Sequence, residues 1–165
     1  MTELPGIPEI MAQRYPILLI DKILEVNGNE VRALKNITYN EPCYASMARE
    51  MRAGAFAYPC SLIIESFAQS AGVLLGRVWT RTSDSDGFVI MFGTIGNFRF
   101  LGEAFPGDIL EHVARLDRQT DDMAIISGTV HCGGVLIATV ERIIAVLRPV
   151  AAGRSKENTI QAATP

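Results

Sequence analysis

The sequence is poor in the residue types that bind metals or form disulfides. Its 165 residues include three cysteines and two histidines. The cysteines form no CxxC pair, and neither His112 nor His131 stands at a zinc-like interval from a cysteine pair. We therefore predict no metal, no cofactor and no disulfide framework, with free thiols in a reducing cytoplasm.

Excess positive charge is also absent. Lys and Arg number 15 against 18 Asp and Glu, which gives a formal net charge of -3. No basic stripe with interleaved aromatic residues is present, so a nucleic-acid partner is not expected. The longest apolar segment, residues 60–78, is interrupted by polar and charged side chains, and the amino terminus does not resemble a signal peptide. A membrane partner is therefore not expected either.

The length and composition indicate one globular domain. A chain of 165 residues with 48% hydrophobic and 20% charged residues can bury a substantial core. We predict a single domain over residues 1–148. Residues 149–165 have little to bury, so we predict a flexible carboxy-terminal tail there.

Apolar periodicity predicts one long helix beside a set of strands. From Cys60 to about Trp79 the sequence is apolar nearly all round, which is typical of a buried helix. Such a helix needs cover on more than one side, either from a curled sheet or from a second subunit. We therefore predict an α+β fold with an antiparallel sheet. The other predicted elements are a short helix over 6–13, loops over 41–58 and 80–87, and strands over 18–26, 31–39, 88–95, 97–101, 109–116, 123–132 and 135–147.

One polar stripe crosses this apolar helix. Ser61, Glu65 and Gln69 are spaced at i, i+4 and i+8 and so share a face. Gln69 can hydrogen-bond the carboxyl group of Glu65 and hold its orientation. A carboxyl group in a dry pocket is suited to general acid or base catalysis near neutrality. The spacing alone leaves open a second reading, in which Glu65 lies where the helix emerges into solvent.

The start of the helix provides hydrogen-bond donors. The first amide groups, around Cys60 and Ser61, have no partner within the helix and lie at the positive end of its dipole. Donors of this kind can polarise a thioester carbonyl as an oxyanion hole does. Every helix has such an end, so this feature gains weight only because Glu65 lies about one turn further along.

Four segments carry a family resemblance. They read RYPILLIDK (14–22), ALKNITYNEP (33–42), LIIESFAQSAG (62–72) and FPGDIL (105–110). In this order and at this spacing they resemble the bacterial 3-hydroxyacyl-[acyl-carrier-protein] dehydratases, the FabZ-like hotdog proteins, over residues 7–148. The resemblance implies a hotdog fold, in which an antiparallel sheet wraps one long central helix, and a dimer with its active sites at the subunit interface.

The resemblance also implies roles for particular residues. Glu65 matches the family's catalytic glutamate, with Gln69 beside it. Cys60 and Ser61 match the helix end that binds the substrate carbonyl, and we expect Gly54 to belong to the same substrate-binding region. The implied substrate is a 3-hydroxyacyl chain on the phosphopantetheine of an acyl carrier protein, in fatty-acid or polyketide biosynthesis, with no cofactor.

The family's catalytic histidine is missing from this sequence. Its position falls on Met51 when counted back from Glu65, and on Met47 when counted forward from Pro42, because this loop is about four residues longer. No histidine lies between Pro42 and Pro59. Methionine can neither accept nor deliver a proton. The two histidines of the late strands are expected to be framework or surface residues.

Three functions remain open at this point. In the first, the chain pairs with a related subunit that keeps its histidine, so that Glu65 completes one mixed site and a homodimer is inactive. In the second, the chain is a hotdog thioesterase in which Glu65 activates water. The third function is a non-catalytic one, in which the chain binds an acyl carrier protein or its acyl chain.

Overall fold

The computed structural model describes residues 6–47, 52–79 and 88–149, so the predicted 80–87 loop, nearly all of the predicted tail and Met51 lie outside the described residues. A loop with two short 3₁₀ turns, Pro42–Tyr44 and Ala53–Phe56, connects the first hairpin to the long helix. The helices and strands of the described residues are α1 (Ile7–Ile10), β1 (Lys22–Asn27), β2 (Glu30–Asn36), α2 (Cys60–Trp79), β3 (Phe88–Phe100), β4 (Ile109–Gln119), β5 (Met123–Cys132) and β6 (Val135–Pro149).

The strands form one antiparallel sheet in the order β1-β2-β4-β5-β6-β3. Two hairpins depend on glycines with positive φ: Gly28 (57°) between β1 and β2, and Gly133 (56°) with Gly134 (81°) between β5 and β6. Glycine adopts such angles without strain, which suits these residues to tight hairpin turns.

Helix α2 packs on one face of this sheet and contacts β2, β3, β4 and β5. It is long and apolar enough to cross a membrane by length and composition alone, but more than half of its most apolar window is buried inside the chain. It is therefore the core helix of the fold. The predicted hotdog arrangement, an antiparallel sheet with one long central helix, is confirmed. Its fully buried side chains include Phe67, Ala71, Leu74 and Leu75.

The first strand begins later than the sequence predicted. Strand β1 starts at Lys22 rather than at Leu18. The backbone amides of Leu19 and Ile20 donate to the side chain of Gln69 on α2 instead of to a neighbouring strand. The side chain of a residue about fifty positions away has replaced the sheet partner, which no local pattern indicates.

Two predicted strands, 88–95 and 97–101, form the single strand β3. The register shift between Phe92 and Thr94 places a β-bulge at Gly93 within this strand. A local irregularity remains at Asn97, whose φ of 51° is left-handed, and its side chain donates to the carboxylate of Glu141 on β6. A single bent strand therefore replaces the predicted pair.

Strand β3 is an edge of the sheet, and among the described residues it pairs only with β6. Four of its large apolar side chains are between 42% and 53% exposed: Phe88, Val89, Met91 and Ile95. A long apolar edge strand with unpaired backbone groups is a surface on which another strand can pair.

Candidate functional site

The side chain of Gln69 links the polar stripe of α2 to the amino-terminal arm. Its Nε2 donates to Glu65 Oε1 at 2.8 Å and to the carbonyl oxygen of Ile17 at 2.6 Å. Its Oε1 accepts from the amides of Leu19 (2.9 Å) and Ile20 (3.4 Å). The hydrogen bond that the i, i+4 spacing indicated is therefore present.

These contacts fix which way the Gln69 amide points. Its oxygen faces two backbone donors and one of its N–H groups faces a backbone acceptor, so reversing the amide would break all three interactions. The remaining N–H group must then point at Glu65. Gln69 is 1% exposed, whereas Glu65 is half-buried and Ser61 is exposed. The Glu65 carboxyl group is therefore oriented from the protein side and remains accessible from the other.

The amino-terminal end of α2 is open to solvent. The carbonyl oxygen of Pro59 accepts the first hydrogen bonds at this end of the helix, from the amides of Leu62 (2.9 Å) and Ile63 (3.1 Å). The amides of Cys60 and Ser61 precede these donors, and both residues are exposed. Ser61 lies four residues before Glu65, or about 6 Å along the helix axis. This end of α2 can bind a carbonyl oxygen within reach of a carboxyl group.

Gly54 lies in the 3₁₀ turn that precedes α2, and it is exposed. A Cβ atom built at Gly54 would meet nothing within 4 Å. The position therefore has free space around it, and the predicted role of Gly54 in substrate binding stays a prediction.

Aromatic side chains pack at both ends of the loop in which the family's histidine would lie. Met47, one of the two candidate positions, packs against the core. The Tyr44 hydroxyl donates to the carbonyl oxygen of Phe56 at 3.0 Å, and the rings of Tyr39 and Phe56 meet edge to face at 5.6 Å. These three aromatic residues are separated by up to 17 positions in the sequence, so no local pattern predicts their contacts.

Neither of two nearby titratable groups can act as a base near neutrality. Burial raises the pKa of Tyr44 to about 12, and burial also raises the pKa of the Cys43 thiol. Both side chains are therefore protonated near pH 7, so neither can accept a proton from the substrate.

His112 does not replace the histidine either. It lies on β4, is fully buried, and meets the ring of Phe67 edge to face at 6.1 Å. Both ring nitrogens lack a hydrogen-bond partner within the described part of the chain, and burial lowers the pKa of His112 to about 3. His131 lies on β5, half-buried and opposite Glu111 of β4. The expectation of framework or surface positions agrees with these placements.

The burial of His112 predicts acid-sensitive stability. The unfolded chain binds a proton below about pH 6.5, whereas folded His112 stays neutral down to about pH 3. The contribution of neutral His112 to the free energy of unfolding is therefore fully present above pH 6.5 and is lost as the pH falls. Between pH 7.5 and pH 5 we expect this effect to lower the free energy of unfolding by about 2 kcal/mol. Urea unfolding at the two pH values measures the difference.

The matched variants for this measurement are His112→Leu and His131→Gln. The loss attributed to His112 should disappear in the first and persist in the second. An unchanged pH dependence in His112→Leu would show that other groups cause the acid sensitivity.

No metal site emerges within the described ranges. Groups of three or more His, Cys, Asp or Glu side chains that could hold an ion are not found among these residues.

Comparison with known proteins places the chain in a family. The family model described as a FabA-like domain matches residues 11–141. A 3-hydroxyacyl-[acyl-carrier-protein] dehydratase FabZ from Streptococcus mutans is 31% identical over 140 residues, which are 84% of this chain and 94% of that protein.

Solved structures agree on the fold. A chain of the dehydratase heterocomplex ApeI:P from Xenorhabdus doucetiae superposes with a TM-score of 0.70 at 16% identity, covering 89% of this chain and 92% of that one. A hot-dog-like protein from Thermanaerovibrio acidaminovorans superposes with a TM-score of 0.57 at 17% identity, covering 74% and 82%. The chain therefore belongs to the FabA-like family of hotdog-fold proteins, together with the FabZ dehydratases.

Proposed function

We propose that this chain is one subunit of a mixed dehydratase that acts on 3-hydroxyacyl thioesters of acyl carrier protein. In this assembly Glu65 belongs to a site whose histidine comes from a related subunit. The assembly works in the cytoplasm, in a fatty-acid or polyketide pathway. A homodimer of this chain has two incomplete sites and does not turn over.

The observation that supports this proposal is that the chain has the glutamate of the site and its hydrogen-bond partner but lacks the histidine. Gln69 holds Glu65 through a saturated set of hydrogen bonds, and the amides at Cys60 and Ser61 remain open. The loop between Pro42 and Pro59 has no histidine. Maintaining an oriented carboxyl group is consistent with its being used.

The chemistry needs two proton-transfer groups. One removes the proton from C2 of the acyl chain, and the other protonates the C3 hydroxyl group, which leaves as water and gives the 2-enoyl thioester. Amides at the start of α2 would stabilise the negative charge that develops on the thioester oxygen. Glu65 supplies one proton-transfer group and the partner's histidine supplies the other.

The edge strand β3 provides the surface for assembly. Its exposed apolar side chains and unpaired backbone groups suit antiparallel pairing with the corresponding strand of a related subunit. The ApeI:P neighbour is itself a dehydratase heterocomplex, which supports a mixed assembly here.

A complementation experiment tests the proposal. A histidine-bearing dehydratase from the same pathway is prepared with its own helix glutamate replaced by glutamine, which inactivates its homodimer. Mixed with this chain, it should regain dehydration of a 3-hydroxyacyl-carrier protein, detected as loss of water by mass spectrometry. Neither protein alone should turn over.

Three results would contradict the proposal. Turnover by this chain alone would mean that it has a complete site. A mixed oligomer without turnover, for every pathway homologue that binds, would indicate the non-catalytic role. Release of free thiol from acyl-pantetheine that depends on Glu65 would indicate a thioesterase.

A further inference from the structure

A buried ion pair lies beside the start of α2. Lys35 Nζ on β2 is 2.6 Å from Glu41 Oε1 in the following loop, and the two side chains are 6% and 10% exposed. Burying such a pair costs desolvation that the attraction between the charges often fails to recover, so an apolar pair would serve stability as well. The pair therefore calls for a reason beyond stability.

The ammonium group of Lys35 has a second contact. It lies 5.9 Å from the centroid of the Tyr58 ring, within the range of a cation–π interaction. Tyr58 is 3% exposed, and its hydroxyl group is buried without a partner among the residues described. The ring is therefore held by its face, against the ion pair, rather than by its hydroxyl group.

Tyr58 connects this contact to the helix. Its amide donates to the carbonyl oxygen of Ala104 at 2.7 Å, and the next residue, Pro59, accepts the first two hydrogen bonds of α2. Only Pro59 separates Tyr58 from Cys60, so the placement of Tyr58 bears directly on the amides of Cys60 and Ser61. Displacements of about 1 Å in a catalytic geometry can cost about 10²-fold in rate.

We propose that Lys35 and Glu41 are positioning residues, which act through Tyr58 to fix the amino-terminal end of α2 where the thioester carbonyl binds. The catalytic part of this inference rests on the proposed function, but the positioning part does not. Neither residue needs to touch the substrate.

The test compares two double variants. Lys35→Met with Glu41→Gln removes both buried charges together, so neither is left unpaired. The control, Arg32→Met with Glu111→Gln, removes a pair with a 2.6 Å contact that joins β2 to β4 at a partly exposed position. Amide hydrogen exchange of Leu62 and Ile63 in the isolated chain reports directly on the start of α2.

We expect exchange of these two amides to be about 30-fold faster in the Lys35/Glu41 variant, the size of effect that losing a desolvated cation–π contact implies. The Arg32/Glu111 variant should match the unmodified chain. Equal exchange in the two variants would overturn the inference. If the first variant does not fold, Tyr58→Leu replaces it, with Tyr58→Phe as the matched control that keeps the ring.

A second readout uses the mixed assembly. There, the Lys35/Glu41 variant should lose about 10- to 100-fold in kcat/KM while still forming the complex, and the control should not. Altered exchange without any dehydration in the unmodified assembly would refute the proposed function and leave the positioning role standing. Altered exchange with unchanged kcat/KM would refute the catalytic part of the inference.

Discussion

Glu65→Gln is expected to abolish dehydration by the mixed assembly. Glutamine keeps the size of the side chain and can still contact Gln69, but it cannot exchange a proton with the substrate. Loss of a positioned acid or base typically costs about 10²–10⁴ in rate. The measurement is the rate of water loss with the glutamate-inactivated partner, in which Glu65 is the remaining helix carboxyl group.

Two controls make the Glu65 result specific. Glu103→Gln, at an exposed position before β4, should leave the rate unchanged. The Glu65→Gln chain should also form the mixed complex as readily as the unmodified chain. Unimpaired turnover by Glu65→Gln would mean that this carboxyl group takes no part in the reaction.

Gly128→Ala is expected to unfold the chain or to destabilise it severely. A Cβ atom at Gly128 on β5 would overlap the carbonyl oxygen of Val113 on β4 and lie 2.8 Å from Cζ of Phe67 on α2. The backbone of β4 cannot move aside as the end of a flexible side chain can, so β4 and β5 must move apart and the Phe67 ring must shift as well. We expect a loss of about 3 kcal/mol or more in the free energy of unfolding, measured by urea denaturation.

The matched control for this change is Gly72→Ala within α2. A Cβ atom at Gly72 would meet nothing within 4 Å, and alanine is the better helix former. Its effect should lie between zero and a gain of about 1 kcal/mol. Similar losses in both variants would mean that the close approach at Gly128 is not what limits packing.

Local patterns in the sequence were sufficient for much of the architecture and for the Glu65–Gln69 contact. The apolar surface of residues 60–79 predicts a buried helix, and the i, i+4 spacing predicts the hydrogen bond between the two side chains. Both features depend on residues within a few turns of each other, which explains why periodicity predicts them.

Contacts between distant segments could not be predicted in this way. The amides of Leu19 and Ile20 bind a side chain about fifty residues away, so the apolar run at 18–20 resembles a strand although it is none. His112 lies between Leu110 and Ala114 at a spacing of two residues along β4, and all three are buried on the same face. The period of two predicts that its side chain points inward, but a histidine at an inward position is a polar exception that propensity does not indicate.

The outer edge of β3, which pairs with no strand among the described residues, has a consequence for how the protein is made and handled. An edge strand with large exposed apolar side chains favours aggregation when nothing covers it. In the mixed assembly proposed above, the related subunit would cover this edge, so co-expression of the two polypeptides is expected to raise the yield of soluble chain. Supply of the two polypeptides in matched amounts would then be a condition for the proposed activity.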